Sequence, residues 1–253
     1  MRVKGVGRRR QKNMTPETAN LLDALEVLYE VTMALHWDVV RCGEELKVLF
    51  ENHPKPTPEQ REEGQFWLRS FTRTFFALVE GVSFTLRQLT LALHERGQLR
   101  LSVGEQALLS EKRYFWDKGK VGSADAFNKA LDNLQIALTL FPRAFGVEFQ
   151  LTTGDHRYGS FRQALRLRDA ITHPKNGQDL QLSNESIKQL YEALAWFPAE
   201  VQRMQRLCYG TIDPNVWEEW KQLRDAKFGT DANSTRKSIV DHFEEGDRGD
   251  VSE

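Results

Sequence analysis

Leu165-Arg166-Leu167-Arg168-Asp169-Ala170-Ile171-Thr172-His173-Pro174-Lys175 carries a helical pattern straight into a proline, and the rest of the chain reads outward from it. At about 100° per residue, Ala164, Leu167 and Ile171 share one apolar stripe, with Arg162, Arg166, Asp169 and His173 on the opposite one. Asp169 precedes His173 by four residues, the spacing at which a carboxylate can accept an imidazole N–H. Pro174 disfavours helical geometry at His173 and so sets that residue at a helix C-terminus, where the dipole favours positive charge. Arg168 lies on the flank beside Phe161, Leu165 and Thr172, where a guanidinium needs a carboxylate, a phosphate or a snorkelling route to water. Along an unbroken helix Arg168 and His173 diverge by roughly 140°. For both to meet one substrate, the helix must end between them or a second copy must supply one of them.

The same helical period extends through most of the chain. Thr15-Pro16-Glu17 reads as an N-cap, a first-turn proline and a first-turn acid, opening a helix to about Phe50. After Pro54, Pro56 and Pro58, Thr57 and Gln60 form a capping box for the longest helix, to about Glu95. In it Phe71, Phe75, Leu78, Val82 and Leu89 follow one stripe, while Phe76, Val79, Phe84 and Leu91 cover much of the remaining surface, as in the central helix of a bundle. Glu80, in the middle of that helix, is a candidate buried acid and partner for Arg168; an edge glutamate reaching water is the alternative.

Ser102 and Glu105 form a second capping box, before a segment ending in Tyr114-Phe115-Trp116 and a Lys-Gly-Lys-Val-Gly turn. Ser123 reads as the cap of a helix to about Phe145, with Phe127, Leu131, Leu134, Leu138 and Phe141 on one face. The loop at 152–159 has turn chemistry, and its His156 and Arg157 could line the cleft that the motif helix faces. Ser183 caps a helix to about Tyr209, in which Pro198 is expected to make a kink or a break. Asp213-Pro214 opens a last helix bearing Trp217, Trp220 and Leu223, and from Gly229 onward the composition is that of a disordered tail. No alternating strand pair is evident.

The expected architecture is an all-α bundle in four parts: a basic arm (1–14), an N-terminal helical extension (15–56), the bundle (57–210), and a C-terminal helix with an acidic tail (211–253). The length of 253 residues and 40% hydrophobic content suit one substantial core. A net charge of −1 excludes a uniformly basic nucleic-acid binder, although Arg2, Lys4, Arg8, Arg9, Arg10 and Lys12 concentrate positive charge where an arm could track phosphates. Cys42 and Cys208 form no C-x-x-C pair, so no disulfide framework or cysteine zinc site is expected. No uninterrupted apolar run approaches the roughly 18 residues of a membrane span, and no signal segment opens the chain. A cytoplasmic protein with no membrane partner is therefore the expectation.

Metal and phosphate-loop chemistry find little purchase. No H-E-x-x-H or recurring E-x-x-H spacing occurs, Gly5-Val6-Gly7 lacks a preceding strand and a third glycine, and no G-x-S-x-G elbow is present. The 165–175 stretch remains. Arg168-Asp169-x-x-Thr172-His173-Pro174-Lys175, ending an amphipathic helix after a phenylalanine-rich one, resembles the R-x4-6-H motif of the HEPN family. The likeness extends over about residues 60–210, including Leu182-Ser183-Asn184 and Trp196-Phe197 downstream. It implies a HEPN-like helical-bundle homodimer whose two motifs face a shared cleft. In many members the activity is metal-independent endoribonuclease, often in toxin or antiphage systems with an antitoxin or defence-system partner protein. The motif arginine and histidine correspond to Arg168 and His173, and the polar residue after the arginine to Asp169. Lys175 stands where adenylylation-regulated toxins of the family carry tyrosine, so that form of control is not expected.

The residue types fit the chemistry independently. Cleavage of RNA without a metal or other cofactor needs a group to take the 2′-hydroxyl proton, a group to protonate the departing 5′-oxygen, and a cation on the phosphorane. Histidine suits either proton transfer and arginine binds phosphate oxygens through two N–H groups. Asp169 would orient the ring, while Lys175, Arg166, Thr172 and Arg162 are weaker candidates for binding flanking substrate. The alternatives are a non-catalytic helical module that binds RNA, a nucleotide or a protein, or a structural protein in which Arg168 is a salt-bridge residue and His173 a C-cap.

Overall fold

The computed structural model describes residues 15–53, 55–117, 120–126, 129–218 and 222. The basic arm, the acidic tail, Phe127, Trp220 and Leu223 lie outside the described residues. The described chain is all-α apart from one two-stranded hairpin. Its elements are α1 (Pro16–Asn52), α2 (Pro58–Glu95), α3 (Val103–Leu109), β1 (Lys112–Asp117), β2 (Lys120–Asp125), α4 (Ala130–Leu140), α5 (His156–Thr172) and α6 (Asn184–Tyr209). Short 3-10 turns follow α4 at Phe141–Phe145 and α5 at Gly177–Leu180.

The N-terminal caps act as read from sequence. The Thr15 side chain accepts from Thr18 N–H, Ser183 accepts from Ser186 N–H, and both capping boxes close: Thr57 with Gln60, and Ser102 with Glu105. Each satisfies amide donors that the first helical turn leaves without partners. With only residues 53–57 between them, α1 and α2 fold back as an antiparallel hairpin. Arg96 donates to Asn20 at 3.2 Å at one end, Cys42 Sγ meets Thr74 Oγ1 at 3.6 Å midway, and His53 meets Gln60 at 2.9 Å at the other end. The two axes approach closely where Gly81 faces Leu35, whose side chain fills the space a Cβ would need.

The segment 15–56, set apart above as an extension, supplies Leu22, Leu25, Leu28, Val39 and Leu46 to the same continuous apolar cluster as α2. That cluster centres on α2, where Phe71, Phe75, Phe76, Leu78, Val79, Val82 and Leu86 are buried and Phe84 points outward. An 18-residue window of α2 has a mean hydropathy of 1.2, enough by length and composition to cross a bilayer; 56% of it is buried among the other helices. Phe161 of α5 packs its ring against Trp196 at 4.8 Å, Phe76 at 5.9 Å, Phe197 at 6.3 Å and Phe75 at 6.5 Å, so aromatic contacts lock α5 between α2 and α6.

Two expectations need correction. Residues 112–117 and 120–125 pair as two antiparallel strands rather than forming a helix end and a helix start: Lys112 pairs with Asp125, Tyr114 with Ser123, and Asp117 with Lys120. Ser123 thus lies in a strand, and α4 begins only at Ala130, behind an N-cap, Lys129, with no side-chain cap bond. The cause is local. Glu111 adopts a positive φ of 51°, which reverses the chain after α3. Its carboxylate accepts from Arg87 at 3.1 Å and Asn133 at 2.8 Å, and its carbonyl accepts from Ala126 N–H at 2.7 Å, which clamps the hairpin base. An aromatic run such as Tyr114-Phe115-Trp116 favours a strand over a helix. Second, α6 runs helical through Pro198. Its buried neighbours Trp196, Phe197, Glu200 and Val201 hold the helix in place across the missing N–H. Near its end, Asp213 Oδ1 accepts from Asn215 N–H at 2.8 Å, opening the helical turn at 214–218.

Candidate functional site

Helix α5 starts on Asp155, whose carboxylate accepts from Arg157 N–H at 2.9 Å and from the Arg157 guanidinium at 2.9 Å. Those two bonds hold the Asp155 carboxyl below its usual range. His156 and Arg157 therefore serve the N-terminal end of α5. They open a helix of 17 residues, about 25 Å long, that ends just before His173, and they do not join the motif end.

At the other end the helix stops between Arg168 and His173. Thr172 is the last helical residue, and His173 leaves helical geometry with φ −127° and ψ 62°. Its N–H still donates to Asp169 O at 2.9 Å, and Thr172 Oγ1 donates to Arg168 O at 2.8 Å. The His173 side chain is exposed.

Arg168 has the partner anticipated for it. One Nη donates to Glu80 Oε1 on α2, and the other lies 3.1 Å from Asp169 Oδ1. Its guanidinium sits 5.7 Å from the centre of the Phe76 ring, while its buried Nε has no hydrogen-bond partner. The Arg168 side chain is 19% exposed. Glu80, considered above as a buried acid, is instead 52% exposed and reaches Arg168 from the solvent-facing edge of α2. Asp169 does not orient the imidazole. Because His173 has left the helix, the four-residue spacing no longer brings the two side chains together, and the Asp169 carboxylate turns to the adjacent guanidinium.

The weaker candidates are exposed at the same end or along α5. Arg166 bonds to Gln163 at 3.3 Å, and Arg162, Thr172 and Lys175 face solvent. Asp179 Oδ2 accepts from the backbone N–H of Lys175 at 2.7 Å and of Asn176 at 3.2 Å, tightening the turn after Pro174.

Three α2 residues that sequence reading passed over hold this turn from the other side. Gln65 exchanges two bonds with the Leu182 backbone, at 3.0 and 2.7 Å; Arg69 donates to Leu180 O at 2.9 Å; Arg73 donates to Ile171 O at 3.3 Å. The signal for them was a polar row at four-residue spacing, Gln65, Arg69 and Arg73, crossing an otherwise apolar helix. The site is thus built from the end of α5, the turn that follows it, and one polar edge of α2 that also carries Glu80. Among the described residues, no group of three or more His, Cys, Asp or Glu side chains is arranged to hold a metal ion. In comparisons with known proteins, no family model, no curated protein and no solved structure matches the chain.

Proposed function

We propose that the chain is a HEPN-type, metal-independent endoribonuclease acting in the cytoplasm as a homodimer. The observation that carries this reading is the end of α5 at Thr172: it frees His173 from helical spacing, with an exposed ring five residues from an anchored arginine. In the proposed reaction one imidazole takes the 2′-hydroxyl proton, and the 2′-oxygen attacks the adjacent phosphorus. The P–O5′ bond breaks, and an imidazolium returns a proton to the departing 5′-oxygen, leaving a 2′,3′-cyclic phosphate and a 5′-hydroxyl. Two facing copies supply one histidine for each proton transfer. Arg168, oriented by Glu80, stabilises the phosphorane when a phosphate competes for its N–H groups. A role as a toxin or antiphage effector, with an antitoxin or defence-system partner protein, belongs to the same proposal and rests on the family resemblance.

A second reading draws on a specific observation. Both Nη atoms of Arg168 already face carboxylates, the arrangement of a structural pin in a non-catalytic module that binds RNA, a nucleotide or a protein. Purified protein in EDTA, offered single-stranded RNA, separates the two. Cleavage abolished by His173→Ala with the helical circular-dichroism spectrum intact supports the nuclease. Phosphate-dependent binding without cleavage, weakened by Arg168→Ala, supports the module, and equal cleavage by wild type and His173→Ala sinks the assignment of His173.

A further inference from the structure

The cations around His173 are not equivalent. Arg168 is flanked by two carboxylates, so the pocket it offers an incoming phosphate carries more negative than positive charge. Arg73 differs. It is exposed, and among the described residues its guanidinium bonds only to the neutral carbonyl of Ile171, two residues before His173, with no carboxylate in an ion pair with it. Arg69, one turn earlier on the same edge, is likewise bonded to a carbonyl, that of Leu180, with no ion pair among the described residues. Side chains four apart on a helix stand about 5–6 Å apart at Cβ, a separation of the same order as successive phosphates of one strand. Each guanidinium uses one donor to grip the turn that carries His173 and keeps others for solvent.

We infer that Arg73, with Arg69 beside it, is the primary binding site for the backbone phosphates of single-stranded RNA, and that it delivers the scissile phosphate to His173. The assignment rests on the ribonuclease reading for its substrate class. It does not rest on cleavage, because an uncompensated cation next to the motif turn binds an RNA backbone whether or not the bond is cut. Arg168 then acts after docking, when the phosphate draws it away from Glu80.

The test uses the full chain and a short 2′-O-methyl RNA, which cannot form the cyclic product, with affinity followed by fluorescence anisotropy between low and moderate salt. Neutralising one phosphate contact on a single strand lowers the slope of log K against log salt by about 0.7. Arg73→Gln is expected to weaken binding about 5- to 10-fold at low salt and to flatten the slope by about that amount. Arg73→Lys, which keeps the charge, retains the slope. A purely structural role in gripping the turn predicts instead that both variants lose affinity with no change of slope, and that result overturns the inference. So does an absence of any binding by wild type, or an unchanged slope in Arg73→Gln. A parallel assay on unmodified RNA separates the two proposals. Arg73-dependent binding without cleavage keeps the cation track and refutes the nuclease, whereas cleavage indifferent to Arg73 keeps the nuclease and refutes the track.

Discussion

Replacing Arg168 with methionine distinguishes a residue kept for stability from one kept for chemistry. Its bridges to Glu80 and Asp169 involve carboxylates that are 52% and 61% exposed, so each is worth about 0–1 kcal/mol. The contact with the Phe76 ring adds about 0.5–1 kcal/mol. Against these stands a buried Nε without a partner, a desolvation cost of about 1–3 kcal/mol that methionine removes. Methionine also retains much of the apolar packing of the arginine stem. Because neither carboxylate becomes buried when the guanidinium goes, no stranded charge adds to the loss. The terms nearly cancel, and Arg168→Met should change unfolding stability by less than about 1 kcal/mol. Urea denaturation followed by far-UV circular dichroism measures it. A loss of about 3 kcal/mol or more, the size seen when one member of a buried ion pair is removed, would refute the reasoning and make Arg168 a structural pin.

Other parts of the molecule respond more sharply. Phe161→Ala empties the centre of the aromatic cluster and should cost about 3–5 kcal/mol, a fall of about 6–20 °C in melting temperature for a chain of this size. A fall of less than about 2 °C would mean that α5 is not held by that cluster. Burial pushes the Glu200 carboxyl up, but the Arg203 guanidinium and the Thr152 N–H outweigh it and leave the group below 4.5. Its stabilising effect is thus full above about pH 4.5 and is lost as the pH falls through the lower folded-state value. The difference in urea midpoint between wild type and Glu200→Gln should therefore be larger at pH 7 than at pH 3. Burial pushes the Cys208 thiol up to about 12, whereas Cys42 is half-buried. A disulfide reagent at pH 8 should accordingly titrate one thiol in the native protein and two in guanidinium chloride.

What the sequence made legible was chemistry satisfied within a few residues. Thr57 with Gln60, Ser102 with Glu105, and Pro174 after His173 each act inside one helical turn, and each marks the boundary it was expected to mark. The Arg168–Glu80 pair was also accessible, because a guanidinium on an apolar flank and an acid in an apolar helix share one need. Ser123 misled because a cap signal is local, while the hairpin is fixed from afar by Arg87 and Asn133 closing on Glu111. Asp169 misled because its carboxylate had a second N–H donor within reach, the Arg168 guanidinium beside it on the helix. Arg69 and Arg73 escaped notice because their partners are main-chain carbonyls about 100 residues away, which no side-chain pattern records.

In the proposed reaction His173 moves a proton during RNA cleavage. Its most direct test compares wild type with His173→Ala on single-stranded RNA in EDTA, with the product ends identified by mass spectrometry. General acid–base catalysis is worth about 10²–10⁴-fold. Wild type is expected to leave 2′,3′-cyclic phosphate ends, and a folded His173→Ala to cleave at a rate at least about 100-fold lower. Cleavage by the variant at a rate comparable to wild type, or no cleavage by wild type, would contradict it.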